Sequence, residues 1–232
     1  MSRRMIFPIL LGLSGTLVLL ALGDWQLDRL EWKTALLAEI DARMQAAPVP
    51  IPLDPDPDRH AYLRVSVTGK TRGPELHALT SDRTLGPGFR IIVPLIAGDG
   101  RAYLADLGYV PETEKGLERP AMAIRVEGNL VWPREVDRLF TPDPDLEKNI
   151  WFARDAERMA AELGTSPVLV VADRITRQDG SGRNSWTMTR PVPVDANVPN
   201  DHLEYAITWF SLACVWSLMT IFWLWRIRRG AV

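Results

Sequence analysis

The chain has 232 residues with a formal net charge of −2 and hydrophobic residues at 47%, and its near-neutral mean hydropathy of −0.05 averages two unlike parts. All 29 acidic residues lie between Asp24 and Glu204, while five arginines (Arg3, Arg4, Arg226, Arg228 and Arg229) lie outside, leaving 22 of 27 basic residues inside and about −7 on that segment. An acidic segment of this kind repels phosphates, which sets aside nucleic-acid binding. The single cysteine, Cys214, excludes an intrachain disulfide, a CxxC pair and a Cys-x-x-Cys-His haem attachment.

Met5 to Gly23 is an uncharged run, and so is Tyr205 to Trp225. Each has about the length a helix needs to cross ~30 Å of hydrocarbon, and only a helix satisfies its own amides there. The arginines outside both runs place residues 1–4 and 226–232 in the cytoplasm and residues 24–204 on the far side. Ala21-Leu22-Gly23 is a passable signal-cleavage site. A retained span is the expectation instead, because Leu30, Leu37 and Met44 recur every seven residues with Ile40 between them, continuing the helix to about Ala47. With no Arg- and Ser-rich transit peptide, a bacterial inner membrane with a periplasmic domain is the expected home.

Pro48, Pro50, Pro52, Pro55 and Pro57 then predict an extended connector without helix. Strands are expected over Tyr62–Gly69, Glu75–Thr80, Phe89–Ile96, Ala102–Val110 and Ala123–Val131. The turns between them are assigned to Gly73-Pro74, Gly86-Pro87-Gly88 and Gly98-Asp99-Gly100. A short helix follows from N-cap Asp155 to Gly164, then a buried strand over Val168–Ala172 and a loop over Gln178–Asn184. Short strands and short loops predict an antiparallel sheet or small barrel, giving a membrane-anchored α+β class with two flanking transmembrane helices.

Enzyme signatures are absent: there is no G-x-S-x-G, HExxH or GxxxxGK[ST]. Prolines between the carboxylates of Asp54-Pro55-Asp56-Pro57-Asp58 are incompatible with a calcium loop. The candidate chemistry lies at the outer ends of the spans. Asp201 and Glu204 read as a capping-box pair that starts a helix at His202. A helical stripe then runs through Ala206, Trp209, Ala213 and Ser217, whose small members admit a flat or helical object. Trp25, Arg29 and Trp32 share a face of the first helix, where a guanidinium can lie on an indole or meet an anion. An apolar groove with one imidazole at its mouth suits a haem held between the spans, with His202 as axial ligand and Trp25, Arg29, Trp209 and Tyr205 as contacts. The same residues equally describe an aromatic belt with ordinary helix packing.

Five segments carry a resemblance: Gly23 to Lys33 (G-x-W-Q-x-x-R-x-x-W-K), Tyr62 to Gly69 ending in Val-Thr-Gly, Leu104 to Pro111, Trp151-Phe152-Ala153-Arg154-Asp155, and Asn200 to Ala213. In this order they resemble the surfeit locus protein 1 family of cytochrome c oxidase assembly factors. This chain has Asp106-Leu107-Gly108-Tyr109 where the family usually reads Asn-Arg-Gly-Trp, and Asp201 where it reads Asn. The resemblance implies a non-enzymatic role in maturing the oxidase by holding haem a for insertion into subunit I, with haem a synthase as a further partner. It carries the family's motif histidine onto His202 and its tryptophan and arginine onto Trp25 and Arg29. A cofactor-free scaffold that stabilises an oxidase subunit is the alternative.

Overall fold

A computed structural model describes residues 5–82, 84–178, 189–194 and 200–229. The loop expected over Gln178–Asn184 lies outside them from residue 179 onward. The chain divides into two compact units, Met1–Glu39 with Ala196–Val232, and Ile40–Asp195.

The first unit is built from α1 (Ile6–Gln45) and the last helix, which spans His202–Arg228. Both are long and apolar enough to cross a membrane, with mean hydropathy of 2.2 and 1.7 over their most apolar windows. Their large apolar side chains point outward: Leu10, Leu13, Leu17 and Val18 on the first and Ile207, Leu212, Val215 and Leu218 on the last are all exposed. Small residues lie in the seam instead. Ala206 and Ala213 are buried, as are Gly12 and Gly23. A Cβ at Gly12 would collide with Thr220, one at Gly15 with Trp216, and one at Gly23 would come within 2.6 Å of the Phe210 ring. Close approach of this kind drives helix association where lipid tails are as apolar as leucine. Hydroxyl and indole groups add to it: Thr16 and Ser217 Oγ atoms are 3.0 Å apart, and Trp216 Nε1 donates to the Gly12 carbonyl at 3.2 Å.

The second unit is a mixed sheet of six strands: β1 (Arg64–Thr71), β2 (Leu76–Asp82), β3 (Gly86–Ala97), β4 (Ala102–Pro111), β5 (Ala123–Val131) and β6 (Ser166–Arg177). Their order is β1-β5-β6-β4-β3-β2. Gly69–Thr71 of β1 also pairs with Leu95–Ala97 of β3, so the pairing path returns to its first strand. The antiparallel expectation fails at one pair, since β4 and β6 run parallel. Parallel neighbours need a crossover of a dozen or more residues, usually helical, and the chain between β4 and β6, which carries β5 and α3 (Ala156–Leu163), supplies it. That helix starts on Asp155, whose carboxylate accepts from Arg158 N, and ends on Gly164 at φ 65°, as expected.

Alternate residues feed two cores. One face gathers Phe89, Ile91, Val93 and Leu95 of β3 with Ala105, Leu107, Val170 and Ala172. The other gathers Ile92, Leu104, Leu169 and Val171 beneath Trp151 and Met159 of α3. Strands covered on both sides read as continuous apolar runs, and all eight interior residues of β4 are buried. Each fully buried Leu or Ile contributes roughly 1.5–3 kcal/mol by leaving water.

Two local expectations are corrected. The Gly98 to Gly100 turn does join β3 to β4, closed by Ala97 N donating to Arg101 O. The Gly86-Pro87-Gly88 segment is strand, however, paired with Thr80–Asp82. The Asp82 carboxylate turns the chain earlier by accepting from Thr84 and Leu85 N. The proline connector also contains a helical turn, α2 (Pro57–His60). Asp56 caps it through Asp58 and Arg59 N, and proline at the first helical position is preset for that role.

Candidate functional site

The last helix, α4 (His202–Arg228), begins at His202 as the sequence predicts. The expected capping box does not form: Asp201 makes no side-chain cap. What fixes this end is a contact to α1. The half-buried His202 ring meets buried Gln26, with Nδ1 2.7 Å from Oε1. Just before the helix start, Asn200 Nδ2 donates to Thr34 Oγ1 at 3.4 Å.

The Gln26 contact has a chemical consequence. An amide oxygen only accepts, so Nδ1 is the donor of this pair, and in the neutral ring the lone pair then lies on Nε2. A second partner that sets tautomer and ring orientation is what metal-binding histidines use. Nε2 has no hydrogen-bond partner among the described residues. The donor set therefore fits a metal that takes a single imidazole.

Gln26 was not among the candidate residues, although its position was readable. Gly23, Leu30, Leu37 and Met44 form one seven-residue series, and Gln26 stands three beyond Gly23 as Ile40 stands three beyond Leu37. A buried amide on the seam of two apolar helices is the signal.

The other candidates are placed differently. Trp25 is 53% exposed and Tyr205 56% exposed, while Trp209 is half-buried. Arg29 lies over Trp32, its guanidinium carbon 4.5 Å from the ring centroid, and not over Trp25. Among the described residues no hydrogen bond or ring contact joins His202 to Trp25, Tyr205 or Trp209. The stripe of Ala206, Ala213 and Ser217 is occupied by α1. This corrects the expectation of an apolar groove between the spans at that stripe, because glycine and alanine on facing helices close the space a haem would need.

A second polar cluster lies in the sheet unit and accounts for two of the resembling segments. Asp106 on β4 is fully buried. Its Oδ2 receives Arg90 Nε at 2.6 Å and Arg154 Nη1 at 3.4 Å, and its Oδ1 receives Gly108 N at 3.1 Å. Arg154 also pairs with Glu135, and Arg90 donates to the Val192 carbonyl. Burial pushes the Glu135 carboxyl up, but the hydrogen bonds and charge of Arg154 outweigh it and hold the group below the usual glutamate range. Gly108 has φ of +111°, and a Cβ there would strike the Arg190 carbonyl, whose strand-like bridge to Tyr109 it allows. The Leu104–Pro111 and Trp151–Asp155 segments thus lock to each other through Asp106 and Arg154.

The family model described as the SURF1 family matches residues 14–214. The chain belongs to the SURF1 family. The family's members are cytochrome oxidase assembly factors in general. A SURF1-like protein of Monosiga brevicollis is 30% identical over 238 residues, covering 94% of this chain and 87% of that protein. A SURF1-like protein of Rickettsia conorii is 27% identical, over 93% and 89% respectively. Human surfeit locus protein 1 is 27% identical, over 90% and 74%. The matched range takes in part of each helix of the first unit and the whole sheet, so the SURF1 assignment covers His202, Gln26 and the Asp106 cluster alike.

Proposed function

We propose that this chain is a membrane-anchored assembly factor of cytochrome c oxidase that holds haem a non-covalently for insertion into subunit I. In this reading α1 and α4 span a bacterial inner membrane, the sheet unit faces the periplasm, and haem a synthase is the source from which the cofactor comes. The single observation that carries the reading is the hydrogen bond between His202 and Gln26, because it leaves Nε2 free to serve as an axial ligand. Trp25 and Tyr205, both exposed, offer aromatic contact, with Trp209 below them on the His202 face of α4. Arg29 rests on Trp32 with its N–H groups open to a propionate. The haem, when bound, supplies the iron that the imidazole ligates. Because the small-residue stripe is packed by α1, the cofactor is held at the outer end of the helix pair and not between the helices.

The test is to express the full chain with haem a synthesis active, purify it, and record a reduced-minus-oxidised spectrum. A haem a signal is expected, and it is lost in His202→Ala. An unaltered signal in that variant refutes the ligand assignment.

The cofactor-free scaffold is favoured by one observation, the closed seam between α1 and α4. It predicts negligible haem in the purified protein together with retained co-purification of subunit I. Ala213 is buried in the helix pair, so substitution there does not probe a partner surface. Exposed Leu212 and Val215 are the positions for that experiment.

A further inference from the structure

At the end of the helix pair remote from His202, the seam opens into a cavity of about 380 Å³. That size falls within the ~300–1,000 Å³ of small-molecule sites. Its walls include Leu11, Trp216, Met219, Phe222 and Trp223, and Arg226 is its only charged lining residue among the described residues. Two polar groups of the wall are already used within the pair. Trp216 Nε1 donates to the Gly12 carbonyl, and Thr220 Oγ1 donates to the Trp216 carbonyl. The cavity therefore offers a polar guest little along its length and suits an aliphatic chain. Arg226 is exposed and forms no ion pair or hydrogen bond with any described residue. A guanidinium at the mouth of an apolar slot is complementary to a phosphate bearing an acyl chain. Arg228 and Arg229 follow on the same helix end, with Arg229 stacked over Trp225 at 3.8 Å. Leu11, Met219 and Phe222 are exposed around the opening, so a guest can enter sideways from a lipid phase.

We propose that this cavity is a site for one anionic phospholipid, with an acyl chain along Trp216 and Met219 and its phosphate on Arg226. The inference rests on the membrane-spanning part of the function proposed above and is independent of haem. A free phosphate is not the ligand, because the cavity's apolar wall would gain nothing from it.

The experiment equilibrates the purified full chain in detergent with equal amounts of palmitoyl-oleoyl phosphatidylglycerol and phosphatidylcholine, and reads retained lipid by native mass spectrometry. One basic side chain at a lipid surface is worth roughly 1 kcal/mol, so phosphatidylglycerol should be retained about fivefold over phosphatidylcholine. Arg226→Gln should bring the ratio near one, whereas Arg228→Gln should leave it unchanged. Leu11→Trp, which fills the slot, should reduce retention of both lipids. Equal retention by the unaltered protein overturns the site, as does a ratio that survives Arg226→Gln, or displacement of the lipid by millimolar inorganic phosphate. His202→Ala should not alter the ratio, which separates this site from the haem reading. Release of the protein from membranes by alkaline carbonate would instead sink the membrane reading on which both stand.

Discussion

The two units solve opposite problems with the same residue types. In the sheet unit, Leu, Ile and Val are buried and drive folding by leaving water, with two apolar cores on either face of the strands. In the helix unit the large apolar residues face outward and the seam is made of Gly, Ala, Ser and Thr. Buried polar groups differ in the same sense. The sheet unit buries a full charge, Asp106, and surrounds it with two arginines and an amide. The helix unit buries an uncharged amide, Gln26, against an imidazole. A charge needs several partners to offset its desolvation, while one good partner suffices for an amide.

The strongest way to break this comparison is Asp106→Ala. It leaves Arg90 and Arg154 without their shared carboxylate, and removing one partner of a buried pair costs about 3–5 kcal/mol. Chemical unfolding of the detergent-solubilised chain should show that loss, and a change below about 1 kcal/mol would mean that water replaces the pairing. Next in size is Gly12→Val, whose side chain must collide with Thr220. Overpacking of this kind costs about 1–3 kcal/mol. In a Cys214→Ser background, cysteines replacing Thr16 and Ser217 should cross-link readily, and Gly12→Val should suppress the bond. Retained cross-linking would show that the seam is not what joins the helices.

Gln26→Leu sharpens the comparison at the other end of the seam. Losing a partner of a ligating histidine typically costs 10–100-fold in affinity, so haem a retention should fall about tenfold in a titration monitored by absorbance. Unchanged retention would detach Gln26 from the proposed site. The smallest effect is acid sensitivity at Glu135. Its folded value is depressed, so its contribution is complete above the ordinary 4.5 and is lost as pH falls through the lowered value. The side chain is partly solvated, which keeps this to less than about 1 kcal/mol. Glu135→Gln should flatten the acid limb of a stability-versus-pH curve below 4.5 and leave neutral pH nearly untouched, and an unchanged limb would assign the acid loss elsewhere.

Sequence by itself determined the elements whose cause is local. Two uncharged runs of spanning length, the heptad series from Leu30 to Met44, the Asp155 cap with its Gly164 terminator and the Gly98 to Gly100 turn each depend on neighbours a few positions apart, and all were legible. The SURF1 segments were legible for the same reason, since their order is written in the chain. Tertiary structure alone decided the rest. The parallel β4–β6 pair depends on a crossover folding back over β4, and no local pattern encodes which strand a later strand will join. The Asp106–Arg154 lock and the His202–Gln26 bond join residues far apart in sequence, where only packing selects the partner. What lies against a stripe of small residues is likewise decided by what else the fold brings there, and here α1 packs on it because its own glycines let it come close.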